Sequence, residues 1–206
     1  MQCIKSDTLT AVAVVTTVAS MMQESLSERR CSRPEEAHAF RAERVELMRG
    51  QLVVSEPQTP YHASAVSSVD YALRDVLPPG WTVRLQAPVS LDGESELQPD
   101  LVVVPGRAAD YRSAHPSHPT LVVEVAESSL VFDRERKGSL YARAGIERYW
   151  IVNLVERVLE AYGEPGPDGS AVYGWRYRSV TMLRPPDVAV PLACASRAIA
   201  VADLLP

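Results

Sequence analysis

Two carboxylates are conspicuous in the sequence because each belongs to a strongly apolar, strand-like run. Asp100 precedes "LVVVP", and Glu124 lies inside "LVVEVA". A charged acid in a buried strand is costly unless it is paired or binds a metal. A salt bridge to an arginine is the structural alternative for either acid. If the two strands are neighbours, the acids converge at one end of a sheet, where carboxylate oxygens can hold Mg²⁺.

A lysine follows the second acid in a chain whose positive charge is nearly all arginine. Lys137 lies in "DRERKGS", and the only other lysine is Lys5. A compact ammonium can sit beside a water or a phosphate oxygen as a point charge. The alternative is a solvated lysine on a charged helix face. Together with the two acids, Lys137 favours a site for phosphate chemistry.

Length and composition restrict the class of protein. With 206 residues, 46% of them hydrophobic, the chain suits one domain with a substantial core. The formal net charge of -5 means that any surface for nucleic-acid phosphates must be local. Cys3, Cys31 and Cys194 lack the spacing of zinc sites or small disulfide scaffolds. These features predict a protein of the reducing cytoplasm.

The N-terminal segment differs from the rest of the chain. Its apolar run "TLTAVAVVTTVASMM" is shorter than the roughly 20 residues that span a bilayer, and no convincing cleavage site follows it. We therefore expect residues 1–33 to form a poorly ordered or loosely docked extension and the protein to have no membrane association. The folded domain is expected to cover residues 34–206.

Within that domain, the pattern alternates between helix and strand signals. Helices are predicted from Pro34 to about Glu43, from His62 to Leu77 and from about Asp133 to Arg143. "RVELM" and "QLVVS" flank Arg49-Gly50 and predict a tight hairpin that carries Glu46. The remaining strand candidates are "WTVRLQAPVSL", "DLVVVP", "TLVVEVA", the hairpin "ERYWIVN" with "RVLEAYG", and the tail "YGWRYRSV". The organisation predicts one α/β domain around a mixed sheet.

Taken in order, several of these segments resemble the Uma-two family of endonucleases, a branch of the PD-(D/E)xK nuclease superfamily. The likeness is carried by "VELMRGQLVV", "TPYH", "LQPDLVVVP", "LVVEVAESS", "DRERKGSLYARAGIERYWIVN" and "RVLEAYG". It implies a restriction-endonuclease-like core, a mixed β-sheet flanked by helices. It also implies that Asp100 and Glu124 hold Mg²⁺ or Mn²⁺ and that Lys137 supplies the catalytic ammonium. Glu46 and His62 match further site positions, with a hairpin salt bridge and a polar helix start as their alternatives.

Two departures from the pattern concern the strand of Glu124. The superfamily signature places a lysine two residues after its glutamate, on the same face of the strand, but this chain has Ala126 there. The resemblance instead assigns the lysine to the following helix. Glu127 adds an acid where family members usually have no charge, either beside the site or on the opposite face of the strand.

The function that the resemblance implies is metal-dependent hydrolysis of nucleic-acid phosphodiester bonds, with DNA as the expected substrate. Arg134, Arg136 and Arg143 are candidates for a basic rim that contacts the nucleic-acid backbone, or for an ordinary solvated helix surface. The alternative function is a noncatalytic module that keeps the fold and binds nucleic acid or protein. The oligomeric state is open, with a homodimer among the alternatives.

Overall fold

The computed structural model describes residues 44–55, 57–192 and 194–206. The predicted extension over residues 1–33 and the predicted helix from Pro34 to Glu43 lie outside the described residues. The chain divides into two compact units. The smaller unit ends at Pro57 and also includes Asp92–Leu97, and the larger unit comprises Gln58–Leu91 and Gln98–Pro206.

The described residues contain short strands and few helices. The strands are β1 (Arg44–Met48), β2 (Gln51–Ser55), β3 (Trp81–Leu85), β4 (Val89–Asp92), β5 (Ser95–Leu97), β6 (Leu101–Pro105), β7 (Leu121–Ala126), β8 (Arg148–Asn153), β9 (Val158–Pro167), β10 (Trp175–Leu183), β11 (Val188–Ala189) and β12 (Ile199–Ala200). The helical elements are α1 (Pro60–Val76), α2 (Leu130–Phe132), a π-helical turn (Asp133–Lys137), α3 (Gly138–Arg143), and 3₁₀ helices at Ala108–Tyr111 and Val201–Leu204.

The smaller unit is built on the predicted hairpin. β1 and β2 pair antiparallel, with Met48 opposite Gln51, so Arg49 and Gly50 form a two-residue connection. Both residues have positive φ, 51° and 77°, as a type I′ turn requires. β5 pairs with the other side of β1. The hairpin prediction is confirmed.

The larger unit contains a six-stranded mixed sheet in the order β10-β9-β8-β7-β6-β3. β7 and β8 run parallel, and the other neighbours pair antiparallel. Every residue of β7 and most residues of β6 are buried, which explains their continuously apolar sequences. The predicted α/β class with a mixed sheet is confirmed.

Helix α1 covers one face of this sheet. Its buried stripe of Val66, Val69, Leu73 and Val76 belongs to the same core cluster as alternate residues of β6 and β7. The helix begins at Pro60, earlier than the predicted His62, because Thr59 caps its first turn and proline suits the first helical position. In the described residues, no helix is both long and apolar enough to cross a membrane.

Two element predictions need correction. The expected single strand "WTVRLQAPVSL" is split into β3 and β4, because Gln86 adopts a positive φ of 46° that interrupts the extended backbone. The helix expected to start at Asp133 starts at Leu130 instead, and its middle is the π-helical turn. There the Gly138 N–H donates to the Asp133 carbonyl, five residues back.

Candidate active site

The two strand carboxylates lie side by side at one edge of the large sheet. β6 and β7 pair antiparallel with Leu101 opposite Val123, and the same register continued by one residue sets Asp100 opposite Glu124. Residues directly opposite each other project from the same face, with Cβ atoms about 5 Å apart. Both side chains are only 2% exposed. The expectation that the acids lie on adjacent strands is met.

Asp100 is held by three groups. The backbone N–H of Val125 donates to Asp100 Oδ2 over 2.9 Å, so the carboxylate extends the strand ladder past the start of β6. The side-chain amide of Gln58 donates to Asp100 Oδ1 over 3.2 Å. His62 Nε2 lies 3.4 Å from Oδ2, farther than in a well-formed charged hydrogen bond. The carboxylate is therefore oriented before any ligand binds.

The first turn of α1 brings His62 to this edge of the sheet. The Thr59 hydroxyl accepts a hydrogen bond from the His62 backbone N–H over 3.1 Å and donates one to Glu127 Oε2 over 2.6 Å. Glu127, the residue that follows β7, therefore ties the start of α1 to the end of that strand. His62 thus lies beside Asp100, and its role in the site stays a prediction.

Glu124 receives two hydrogen bonds from the helical segment after β7. Lys137 Nζ lies 3.0 Å from Glu124 Oε1, and the Tyr141 hydroxyl donates to the same oxygen over 2.7 Å. Lys137 is only 5% exposed, and Tyr141 is fully buried. The structure thus brings Lys137 to Glu124, while Ala126 is buried on β7. Tyr141 was missed because a tyrosine in a helix is usually a packing residue.

The π-helical turn sets the position of Lys137. A glycine at position 138 permits this turn because it has no Cβ. A Cβ at that position would lie 3.2 Å from the Asp133 carbonyl oxygen and 3.4 Å from Tyr149 Cε1. The Tyr149 hydroxyl donates to that carbonyl over 3.1 Å. Burial, followed by the negative charges of Asp133 and Glu124, raises the pKa of Tyr149 well above its ordinary value. Tyr149 therefore stays protonated as a donor.

Asp133 is a third buried carboxylate in this cluster and was predicted only as a helix-starting residue. Its Oδ1 lies 3.9 Å from Lys137 Nζ, and its Oδ2 accepts a 2.5 Å hydrogen bond from the Ser129 hydroxyl. The spacing of Asp133 and Lys137, four residues apart on one helix, was a usable signal. Asp133 is thus a second carboxylate beside the Lys137 ammonium.

Arg134 has a structural partner that the sequence did not reveal. Its guanidinium forms a two-point pair with Glu160, at 2.9 and 2.5 Å. Asn153 and Tyr162 also donate to the Glu160 carboxylate, over 2.8 and 2.6 Å. Burial acts to raise the pKa of Glu160, but the hydrogen bonds from Arg134, Tyr162 and Asn153 outweigh it and leave the pKa lowered. This pair anchors the π-helical turn to β9.

The remaining predicted site residues belong to the smaller unit and to the helical segment after β7. Glu46 is buried on β1 in the smaller unit, opposite Val53. Arg136 and Arg143 are exposed on the helical segment, and Arg143 donates to the Tyr173 carbonyl over 3.3 Å. Their roles stay predictions.

The donor set fits a hard divalent cation that keeps part of its water shell. Asp100 and Glu124 provide two adjacent carboxylates, and Mg²⁺ commonly uses one or two carboxylates together with water and substrate phosphate. Among the described residues, no group of three or more His, Cys, Asp or Glu side chains has a metal-holding arrangement. The fit is therefore to a site completed by water and substrate rather than to a closed protein cage.

Comparison with solved structures identifies the class of fold. The chain is similar to the crystal structure of a "putative nuclease belonging to DUF820" from Anabaena variabilis, with a TM-score of 0.57 and 15% sequence identity. The match covers 78% of this chain and 88% of the other, so the two chains share an α/β fold. Residues 34–202 match the profile of the Uma2 (Uma-two) family, described as "Putative restriction endonuclease", and the chain belongs to that family. A comparison with curated proteins found no match.

Proposed function

We propose that this protein is a metal-dependent endonuclease that hydrolyses phosphodiester bonds, with DNA as its substrate. The observation that carries the proposal is the convergence of Asp100, Glu124 and Lys137. The register sets the two acids opposite each other, and Lys137 Nζ lies 3.0 Å from Glu124. Membership of the Uma2 family and the nuclease-type fold support the same conclusion.

Asp100 and Glu124 would hold the cation, Mg²⁺ or Mn²⁺. When bound, such an ion supplies a Lewis acid for a phosphoryl oxygen. Two features of this chain prepare the carboxylates for that task. The Val125 N–H and Gln58 orient Asp100, and the Tyr141 hydroxyl orients Glu124. Both acids therefore need little rearrangement on binding.

Besides the cation, the site has a positive charge from the protein itself, the ammonium of Lys137. This ammonium is buried beside Glu124, where a fixed charge stabilises developing negative charge more than it would in bulk water. In the reaction, water attacks phosphorus and the bond to one ester oxygen breaks, leaving a phosphate end and a hydroxyl end. Lys137 is proposed to orient that water or to stabilise the added charge on the phosphate. His62, beside Asp100, is proposed to contact a phosphate or to carry a proton.

The test is a cleavage assay on single-stranded, double-stranded and branched DNA and on RNA, in Mg²⁺ and in Mn²⁺. The parent protein should nick or cut DNA, EDTA should abolish the reaction, and Lys137→Met should lower its rate on the order of a hundredfold. Binding without cleavage on every substrate would reject the nuclease in favour of the noncatalytic binding module.

A further inference from the structure

A second group of residues lies along the same sheet edge as Asp100 and Glu124. β7 and β8 are parallel, and β8 and β10 each pair antiparallel with β9. The last residues of β7, β8 and β10 therefore all reach one edge. Residues that immediately follow β8 and β10 must lie there too.

Two exposed arginines occupy that edge. Arg157 ends the turn that joins β8 to β9, and Arg184 follows the last residue of β10. Leu183 pairs with Leu159, so Arg184 lies close to the same turn. Its guanidinium contacts the carbonyl of Glu156 in that turn at 3.4 Å.

Arg157 is linked directly to the neighbourhood of the acids. Its Nη1 donates to the Tyr61 hydroxyl over 3.0 Å and to the Pro206 carbonyl over 3.0 Å. Tyr61 is 39% exposed and precedes His62, which lies beside Asp100. The backbone of Arg157 has a φ of 54°, a conformation that favours Gly or Asn over arginine. The turn thus projects an arginine where a smaller residue would fit the backbone better.

From these contacts, we infer that Arg157, Arg184 and Tyr61 form a track for the nucleic-acid backbone, here called the arginine edge. The inference rests on the proposed nuclease function and adds the surface that holds the substrate beside the site. Three strand spacings separate β7 from β10, roughly 14 Å in all. At a rise of about 3.4 Å per nucleotide, this distance spans about four nucleotides of one strand.

The chemistry of the arginine edge suits phosphate better than a base. Guanidinium groups bind phosphate oxygens through paired N–H donors, and such contacts position a duplex without reading its sequence. Of the neighbouring acids, Glu156 directs its side chain to Arg134 at 3.6 Å, and Asp187 accepts the Arg184 backbone N–H over 2.8 Å. Both arginines are exposed, so their remaining N–H donors are accessible to a ligand.

The experiment measures binding of the full chain to a short DNA duplex in EDTA, over a series of salt concentrations. Arg157→Gln and Arg184→Gln should each weaken binding several-fold on every sequence and should each reduce the salt slope by about 1. Arg157→Lys, which keeps the charge, should retain the slope. The matched control is Arg112→Gln, because Arg112 is an exposed arginine in the β6–β7 connection at the opposite sheet edge.

Cleavage in Mg²⁺, measured on the same proteins, separates this inference from the proposed function. If the parent cuts DNA while the Arg157 and Arg184 variants bind with the parent's slope, the arginine edge is wrong and the nuclease stands. If the variants lose slope but the parent never cuts, the arginine edge stands as a binding surface and the nuclease is wrong. A parent protein that neither binds nor cuts overturns both.

Discussion

Lys137 and Glu124 are 13 residues apart in the chain, yet Lys137 Nζ lies 3.0 Å from Glu124 Oε1. In the superfamily pattern, the lysine comes from the same strand as the glutamate, but Ala126 occupies that position here. Here the ammonium is supplied instead by the π-helical turn that follows β7. The lysine beside Glu124 therefore comes from a helical element rather than from β7.

The hydroxyl of Tyr141 should matter for activity as well as for stability. Tyr141→Phe removes its hydrogen bond to Glu124 and should lower the free energy of unfolding by about 1–2 kcal/mol. Because the Glu124 carboxylate then loses one orienting donor, the cleavage rate should fall roughly tenfold. Tyr177→Phe is the matched control, since its hydroxyl donates to the Ile146 carbonyl over 2.8 Å. Equal cleavage by the two folded variants would contradict the orienting role.

The Arg134–Glu160 pair should be a large stabilising element. Arg134→Met leaves the Glu160 carboxylate, 1% exposed, without its charged partner, and should lower the free energy of unfolding by about 3 kcal/mol. Arg176→Met, which breaks an exposed 2.9 Å pair with Asp168, should lower the free energy of unfolding much less. Urea unfolding of both variants measures the difference. Similar losses would show that the buried pair contributes no more than a surface pair.

The lowered pKa of Glu160 predicts how stability depends on pH. A carboxyl whose pKa is lower in the folded than in the unfolded state stabilises the fold above the unfolded value, near 4.3, and this contribution disappears as the pH falls through the folded value. The stability difference between the parent and Glu160→Gln should therefore be present at pH 7 and shrink below about pH 4. Urea unfolding curves of both proteins between pH 7 and pH 3 measure this difference. A difference in the free energy of unfolding that does not change with pH would contradict the prediction.

Gly138 should tolerate alanine poorly, although alanine normally favours a helix. The added Cβ would meet the Asp133 carbonyl oxygen and the buried Tyr149 ring at 3.2 and 3.4 Å, and neither can move freely. We expect Gly138→Ala to cost about 1–3 kcal/mol and to slow cleavage by displacing Lys137. Gly169→Ala, with nothing within 4 Å, is the control. A Gly138→Ala protein as stable and active as the parent would show that the close approach is not required.

Local patterns were sufficient for much of the fold. The Arg49-Gly50 turn, the apolar runs of β6 and β7 and the helical period of α1 were all predicted correctly because each depends on neighbouring residues. The π-helical turn could not be predicted, because it depends on the close approach of Gly138 to Tyr149 on β8. The sequence pattern does not specify how the helical segment packs on that strand. The break at Gln86 was missed because a positive φ at glutamine carries no sequence signal.

For the site, residue types that carry charge were easier to find than their partners. Asp100 and Glu124 were singled out because charged groups in apolar runs are unusual, and Lys137 because nearly all other positive charge in the chain is arginine. Tyr141, Gln58 and Glu160 were missed because each has a polar partner at least 17 residues away in the chain. Such contacts depend on strand order and helix placement, which the sequence pattern does not specify.

The most direct measurement of the central claim is the single-turnover cleavage rate of Asp100→Asn in Mg²⁺. This change keeps the shape of the side chain and removes the charge proposed to hold the cation, so the rate should fall on the order of a hundredfold or more while the melting temperature changes little. Asp203→Asn, at an exposed aspartate, should cleave like the parent. A folded Asp100→Asn protein that cuts DNA within a few-fold of the parent rate would contradict the claim that Asp100 and Glu124 form the catalytic centre.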